Sequence, residues 1–446
     1  MEPRPGHGRY AAPAAGCRGA LDRTATSGRR RRAGRPGAPP PALGRARGGT
    51  GAHVVKRLVL AGAGHAHALV LRAMAQRRPT AVEVVVVSPE PLAPYSGMVP
   101  GWLAGLYTYG DIAVDFPPLA RAAGAHWRQG EVQALDPARR RVFLQDGDAL
   151  DYDLLSLNLG STLRPPAARH AQMLPLRPLS ALHTRVQALL AAWQADRGEQ
   201  PFVVTAVGGG AAGFEALLAL LQRLRQLRPD RVVQGGWLVR GTSVLPGLAP
   251  AARRAALRAL DRAGVTVQLG SSWCDAVDRS SDVVLWATGA QAHDWQLDPS
   301  RRGALAVDDD GFVAIDIHLR SVSHPQIFAT GDCASWPGRP LPKAGVHAVR
   351  MGPVLTHNLL TACSAGGTFQ RHRPQRHFLT LLATGDRRAI AARGRFGAEG
   401  AWAWAWKDRI DRRFLARLRA SPGVDAPADN APLVADPVAT RTGETT

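Results

Sequence analysis

Short apolar runs, glycine turns and longer helix-periodic stretches alternate along the chain. KRLVLAGAGHAHALVLRAM (56–74) opens on an apolar run, Leu58 to Ala61, too short for a helix and so read as a buried strand. Gly62 and Gly64 follow, and then an alanine- and leucine-rich helical pattern. VEVVVVSPE (82–90) is a second buried strand. FVVTAVGGGAAGFEALLALLQRL (202–224) repeats the layout: a strand, then Gly208, Gly210 and Gly213, then Glu215 and a leucine-rich helix. SSDVVLWATGA (280–290) and HPQIFATGDCAS (324–335) are further buried strands, ending in Ala287-Thr288-Gly289 and Gly331-Asp332. Residues 125 to 159 alternate strand-like runs with turns and predict an antiparallel excursion, and 179 to 197 predict a helix.

Strand, glycine turn, helix, strand is the layout of a dinucleotide-binding unit. Glycines let the backbone approach a pyrophosphate, and the helix N-terminus turns unpaired N–H groups toward its charge. The first copy has His67 at the third motif position, where Gly or Ala is usual, and alone it also fits an ordinary α/β turn. The second copy is a full G-x-G-x-x-G between strand and helix, the context the motif requires. A strand running into Gly-Asp sets a carboxylate at its carboxyl end, where a ribityl or ribose hydroxyl would bind. In this order the four signals predict an α/β protein with two Rossmann-like dinucleotide-binding domains.

Charge changes the picture only at the ends. Of the formal net +21 on 446 residues, the first 57 residues hold +11. Their Arg, Gly, Pro and Ala carry no apolar periodicity, so 1–55 is read as a disordered basic leader. A transit peptide and a start codon placed too far upstream both account for it. A nucleic-acid arm is disfavoured because no aromatic residues are interleaved with the basic ones. The tail 422–446 is also read as disordered. No stretch approaches the roughly 20 apolar residues of a membrane-spanning helix. Cys17, Cys274, Cys333 and Cys363 are far apart, with no metal-ligand spacing, so no metal is expected and a reduced cytoplasmic protein fits.

The order of glycine fingerprint, second fingerprint, ATG and GD resembles the pyridine nucleotide–disulfide reductase superfamily over about residues 56 to 420. Within it the chain looks most like type II NADH dehydrogenases and the flavoprotein module fused to some selenide, water dikinases. The latter likeness rests on LAGAGHAHALVLR, VSPEPLAPYSGMVPGWLAGLY, LPKAGVHAVRMGPVLTHNL and KDRIDRRFL. The resemblance implies FAD at the first glycine turn (Gly62, Gly64, His65) and NADH or NADPH at the second (Gly208, Gly210, Gly213), with Thr288 and Gly289 beside it. Asp332, after Gly331, would bind the FAD ribityl chain or pyrophosphate region, and Val132 would meet adenine through its backbone. The implied FAD-binding domain is discontinuous, 56–165 and 306–365, around an NAD(P)-binding domain at 166–305. A C-terminal α+β interface or membrane-surface region at 366–421 completes the division.

Several positions depart from the family pattern. PYSGMVPG (94–101) aligns with the segment that carries redox cysteines in disulfide reductases, and here it has none. Electrons would then pass from flavin directly to the acceptor. Ser88 or Glu90 stands in for the usual acid at the adenine ribose. The corresponding second-unit strand carries Arg240 and no acid, which leaves NADH against NADPH open. In LPKAGVHAVRMGPVLTHNLL (341–360) a helix from about Val346 would aim its N-terminal partial charge at the flavin's N1–C2=O edge, with Lys343 adding to the field. A capped helix with a surface lysine is the plain alternative. Glu215 is either near the nicotinamide or simply an acid favoured early in a helix. His347 and Arg350 face an acceptor pocket or the surface.

AWAWAWKDRIDRRFLARLR (401–419) predicts a strand with Trp402, Trp404 and Trp406 on one face, followed by a helix striped by Trp406, Ile410, Phe414 and Leu418. Lys407, Arg409, Arg412, Arg413, Arg417 and Arg419 supply charge. This composition suits a peripheral contact with the inner face of a membrane; packing on the flavin domain or in a homodimer suits it too. The function expected is transfer of electrons from NAD(P)H through FAD to a quinone or similar small acceptor. A redox partner in selenium or sulfur metabolism and a flavin-binding regulatory module with little turnover are the alternatives.

Overall fold

The computed structural model describes residues 55–337, 343, 345–364, 366–374 and 378–419. Apart from Val55, the predicted leader lies outside these residues, as do the tail and Pro342.

Two five-stranded parallel sheets carry the molecule. The first has the order β10 (Ile327–Ala329), β4 (Leu154–Leu157), β1 (Lys56–Ala61), β2 (Val82–Ser88) and β3 (His126–Gln129). The second has the order β5 (Gln172–Pro175), β9 (Val283–Trp286), β6 (Phe202–Val207), β7 (Val233–Val239) and β8 (Val265–Leu269). Every pairing in both is parallel. Parallel strands are covered on both faces by crossover helices, so they read as continuous apolar runs. Leu58 to Ala61 in β1 are accordingly fully buried. Helix α1 (His65–Gln76) follows β1, and α3 (Ala211–Leu227) follows β6. Between β5 and β6 in the chain, α2 (Leu179–Ala195) matches the predicted helix. The last long helix of the first unit, α4 (Gly345–Cys363), lies on α1, with Gly352 against Leu69 and Ala66.

Two expectations are corrected. The predicted antiparallel excursion is confined to Val132–Asp136, Arg141–Leu144 and Ala149–Asp151. HWRQ instead pairs in parallel with β2, because the helix Phe116–Ala122 supplies the crossover that returns the chain to the same sheet. The second correction concerns the tryptophans. The antiparallel strands β11 (Thr380–Ala383), β12 (Ala389–Arg393) and β13 (Phe396–Gly400) end at Gly400, and Ala401–Arg419 is one helix, α5. Alanine at every second position permits a helix as well as a strand, and the packing of Ala403 on Ala389 and Ala391 of β12 selects the helix. In a helix the tryptophans separate: Trp404 stacks on Tyr107 at 5.9 Å, while Trp402 and Trp406 stack on each other at 6.3 Å in solvent. The buried face is Ala403, Lys407, Asp411, Phe414, Leu415 and Leu418, so the predicted stripe starting at Trp406 is displaced by one residue at its N-terminal end.

Candidate functional site

The first glycine turn closes around one asparagine. A Cβ on Gly64 would lie 1.9 Å from Asn158 Oδ1, so only glycine lets β4 come this close. Asn158 Oδ1 accepts from the Ala66 N–H (3.2 Å), and its Nδ2 donates to the Thr330 carbonyl (2.9 Å). One side chain thereby ties α1, β4 and the GD turn together. His67, at the odd motif position, fills the space behind the turn. Its Nδ1 lies 2.7 Å from the Gly62 carbonyl, which can only accept, so Nδ1 carries the proton and Nε2 accepts from the Ser156 hydroxyl (2.8 Å). Burial drives its pKa down to about 4, so it stays neutral.

Around this turn the predicted residues assemble in part. Gly62, Gly64 and Gly331 converge on Asn158, His65 and Asp332 follow Gly64 and Gly331 in the chain, and Val346 lies in the first turn of α4, whose Ala348 faces Gly331. Ser88 and Val132 lie at the far side, joined through Gly130, whose N–H donates to the Ser88 carbonyl (3.0 Å). The Ser88 hydroxyl donates to the Glu90 carbonyl (3.0 Å). Lys343 turns aside: its ammonium donates to the Ala334 carbonyl (2.7 Å) and sits 3.6 Å over the Phe312 ring. The cation set against Asp332 is Arg177, which pairs with its carboxylate and donates to the Lys343 carbonyl (3.2 Å). His65 Nε2 and Thr330 Oγ1 are buried with no partner among the described residues. A glycine cradle, a helix N-terminus and two unspent polar atoms fit a dinucleotide of the FAD type.

The second turn repeats the logic. Gly208 has φ +121°, and a Cβ there would lie 2.3 Å from the Ala287 carbonyl. Gly213 meets the Gly208 carbonyl, Gly210 opens to solvent, and the Trp237 indole donates to the Gly208 carbonyl (2.8 Å). Thr288 and Gly289 lie exposed just beyond Ala287 at the end of β9, beside this turn. An open glycine edge at the carboxyl end of a parallel sheet fits a second dinucleotide. Arg240 is exposed after β7.

Between the turns lies a buried polar cluster that sequence reading found only in one member. Glu215 is in the second turn of α3, not the first, and its Oε1 accepts from the Ala383 N–H (2.7 Å). Burial pushes its pKa up to about 7, against the pull of the Lys407 charge. Lys407 pairs with Asp411 (2.7 Å) and donates to the Gly97 carbonyl, so it is not among the charges offered to a membrane. Tyr95 packs edge-on to His65 (5.1 Å) and on Phe414 (4.9 Å), and burial and the Asp411 charge raise its phenol pKa. The signal available for Lys407 and Asp411 was their i, i+4 spacing in line with Ala403 and Leu415. Nothing local marks Asn158 or Arg177, whose partners lie far along the chain.

Comparison with known proteins agrees with this arrangement. Ferroptosis suppressor protein 1 of Taeniopygia guttata is 27% identical over 264 residues, 54% of this chain and 64% of that protein. Demethylphylloquinone reductase NdbB of Synechocystis sp. is 27% identical over 245 residues, 50% of this chain and 57% of that protein. The chain thus matches under two thirds of the length of either relative. Among solved structures, NDH2 from Plasmodium falciparum in complex with NADH superposes with a TM-score of 0.65 at 11% identity, covering 82% of this chain and 97% of that one. Sulfide:quinone oxidoreductase from Aquifex aeolicus gives 0.64 at 18% identity, covering 82% and 91%. At such identities the likeness is one of fold. The family model described as pyridine nucleotide-disulphide oxidoreductase matches residues 56–352. With both of its glycine turns inside that match, the chain belongs to the pyridine nucleotide-disulphide oxidoreductase family.

Proposed function

We propose that the chain is an FAD-dependent NAD(P)H dehydrogenase that passes two electrons to a quinone or similar small acceptor without a redox disulfide. The observation that carries this reading is Tyr95. In the loop where a disulfide reductase of this family holds its cysteines, the side chain packed against His65 of the first glycine turn is a phenol, which cannot form a disulfide. The relatives named as quinone reductases support the acceptor class.

The two parallel sheets support the division into an FAD unit, 56–165 with 306–365, and an NAD(P) unit, 166–305. Bound FAD would supply a two-electron carrier able to take hydride from a nicotinamide. The chain's own part is positional. Asn158 and His67 hold the first turn rigid, and the N-termini of α1 and α3 offer N–H groups to pyrophosphates. Asp332, held by Arg177, would bind a ribityl hydroxyl. Arg177 also puts positive charge beside the first turn of α4, the role expected of Lys343. Glu215, titrating near neutrality, can hold or release a proton beside Lys407.

No helix among the described residues is long and apolar enough to cross a membrane. Trp402 and Trp406, 50% and 42% exposed, with Phe396 exposed on the preceding strand and Arg395 and Arg409 in solvent, support peripheral contact with an anionic membrane surface. The test of the central reading is anaerobic titration of the flavoprotein with NADH and with NADPH. Flavin bleaching by either supports it, and a flavin that stays oxidised with both contradicts it.

A further inference from the structure

Two buried imidazoles have no role in the machinery above. His347, in the first turn of α4, and His372, on the segment after it, are 7% and 6% exposed. The Nε2 atom of each is buried with no hydrogen-bond partner among the described residues. Folded proteins seldom leave buried polar atoms unsatisfied, and two in one neighbourhood ask for a ligand. Both imidazoles are neutral: burial lowers each pKa, that of His372 to about 4, and the Arg350 charge lowers both further. An aromatic ring packs on each. The Trp336 ring lies 5.8 Å from His372, and Phe378 meets His347 edge-on at 5.6 Å. His347 and Trp336 also line the cleft that holds Asp332 and Met351, at the carboxyl end of β10 where the flavin is proposed to sit.

We propose that His347 and His372 form the head-group subsite for the electron acceptor, their Nε2 atoms gripping the oxygens of a planar quinone-class molecule between aromatic walls. This rests on the acceptor class of the proposed function and gives it an address. A neutral imidazole suits the task because one atom can serve both redox states. Protonated, Nε2 donates to a quinone carbonyl; in the other tautomer it accepts from the quinol hydroxyl. A fixed ammonium or carboxylate would match only one of them.

The test separates this site from the nicotinamide reaction. The full chain with FAD is reduced by dithionite, which bypasses NAD(P)H, and mixed anaerobically with menadione while flavin reoxidation is followed. H347L and H372L are each expected to raise the menadione concentration for half-maximal rate by roughly 10-fold, the loss of one buried hydrogen bond. Reoxidation by ferricyanide, which needs no head-group contact, should stay unchanged. H347Q and H372Q, which keep a hydrogen-bonding group, should fall between and serve if a leucine variant loses FAD. Equilibrium dialysis of the oxidised protein against menadione should show the same loss of affinity and does not depend on turnover. Unchanged menadione saturation and binding in the variants would overturn the subsite. Weakened menadione binding in a protein that neither NADH nor NADPH can reduce would instead remove the dehydrogenase reading and leave the subsite standing.

Discussion

Asn158 satisfies a helix N–H and the Thr330 carbonyl, which also accepts from the Cys333 thiol (3.3 Å), and its amide occupies the space a side chain at Gly64 would need. Asn158→Ala should therefore cost roughly 1–3 kcal/mol in denaturant unfolding, because the buried Ala66 N–H loses its partner and the Thr330 carbonyl keeps only the weak thiol donor. It should also lower the FAD retained through purification; full stability and full flavin content would contradict the role. Glu215 gives a pH prediction. Its folded pKa of about 7 lies above the ordinary 4.5, so the folded chain keeps a proton that the unfolded chain releases between these values. Its contribution to stability is whole below pH 4.5 and lost as pH rises through 7. Glu215→Gln should remove a slope of at most about 1.4 kcal/mol per pH unit from stability between pH 5 and 7. Identical slopes in variant and parent would show that the carboxyl ionises as it does in water.

At the scale of elements, α5 joins two roles on opposite faces. Its inner face carries the buried Lys407–Asp411 pair into the interface with the 95–98 loop. Lys407→Met leaves Asp411 as an uncompensated buried charge and should destabilise by about 3–5 kcal/mol, whereas Lys407→Met with Asp411→Leu should recover most of that. A double variant as unstable as the single one would mean the lysine acts through Gly97 alone. The outer face carries Trp402 and Trp406. Their joint replacement by serine should abolish co-sedimentation with anionic vesicles while leaving flavin content intact; undiminished binding would locate the membrane contact elsewhere.

This helix also marks where sequence reading stops. Strands such as β1, β2, β6, β9 and β10 were legible because a parallel strand buried on two faces leaves an unbroken apolar run, whereas β5 and β8 of the second sheet were not read. Both glycine turns were legible because close backbone approach admits few other residues. The tryptophan segment was ambiguous because alternation with alanine satisfies a two-residue period and a helix equally; what decides is that Ala403 faces the sheet and Lys407 finds Asp411 and Gly97. The parallel pairing of β3 was hidden because it depends on a crossover helix, not on the strand's own residues. Arg177, to which no role was assigned, holds the charge expected of Lys343 for the same reason: which cation meets Asp332 is fixed by the turn after β5, 155 residues away in sequence.

The whole molecule sets two glycine turns at the carboxyl ends of two parallel sheets and closes the space between them with α5 and the loop carrying Tyr95. Of the formal net charge of +21, +10 lies beyond residue 57, on a chain proposed to bind two polyanionic dinucleotides. On the proposed function, a phenol at Tyr95 in place of a cysteine leaves electrons to pass from flavin directly to the acceptor. The measurement that tests this most directly is anaerobic titration of the purified flavoprotein with NADH and with NADPH, followed by flavin absorbance. The account predicts rapid bleaching by at least one of them at one equivalent per flavin, with colour restored by a quinone. A flavin that stays oxidised with both would contradict it and leave the second glycine turn without a role in electron transfer.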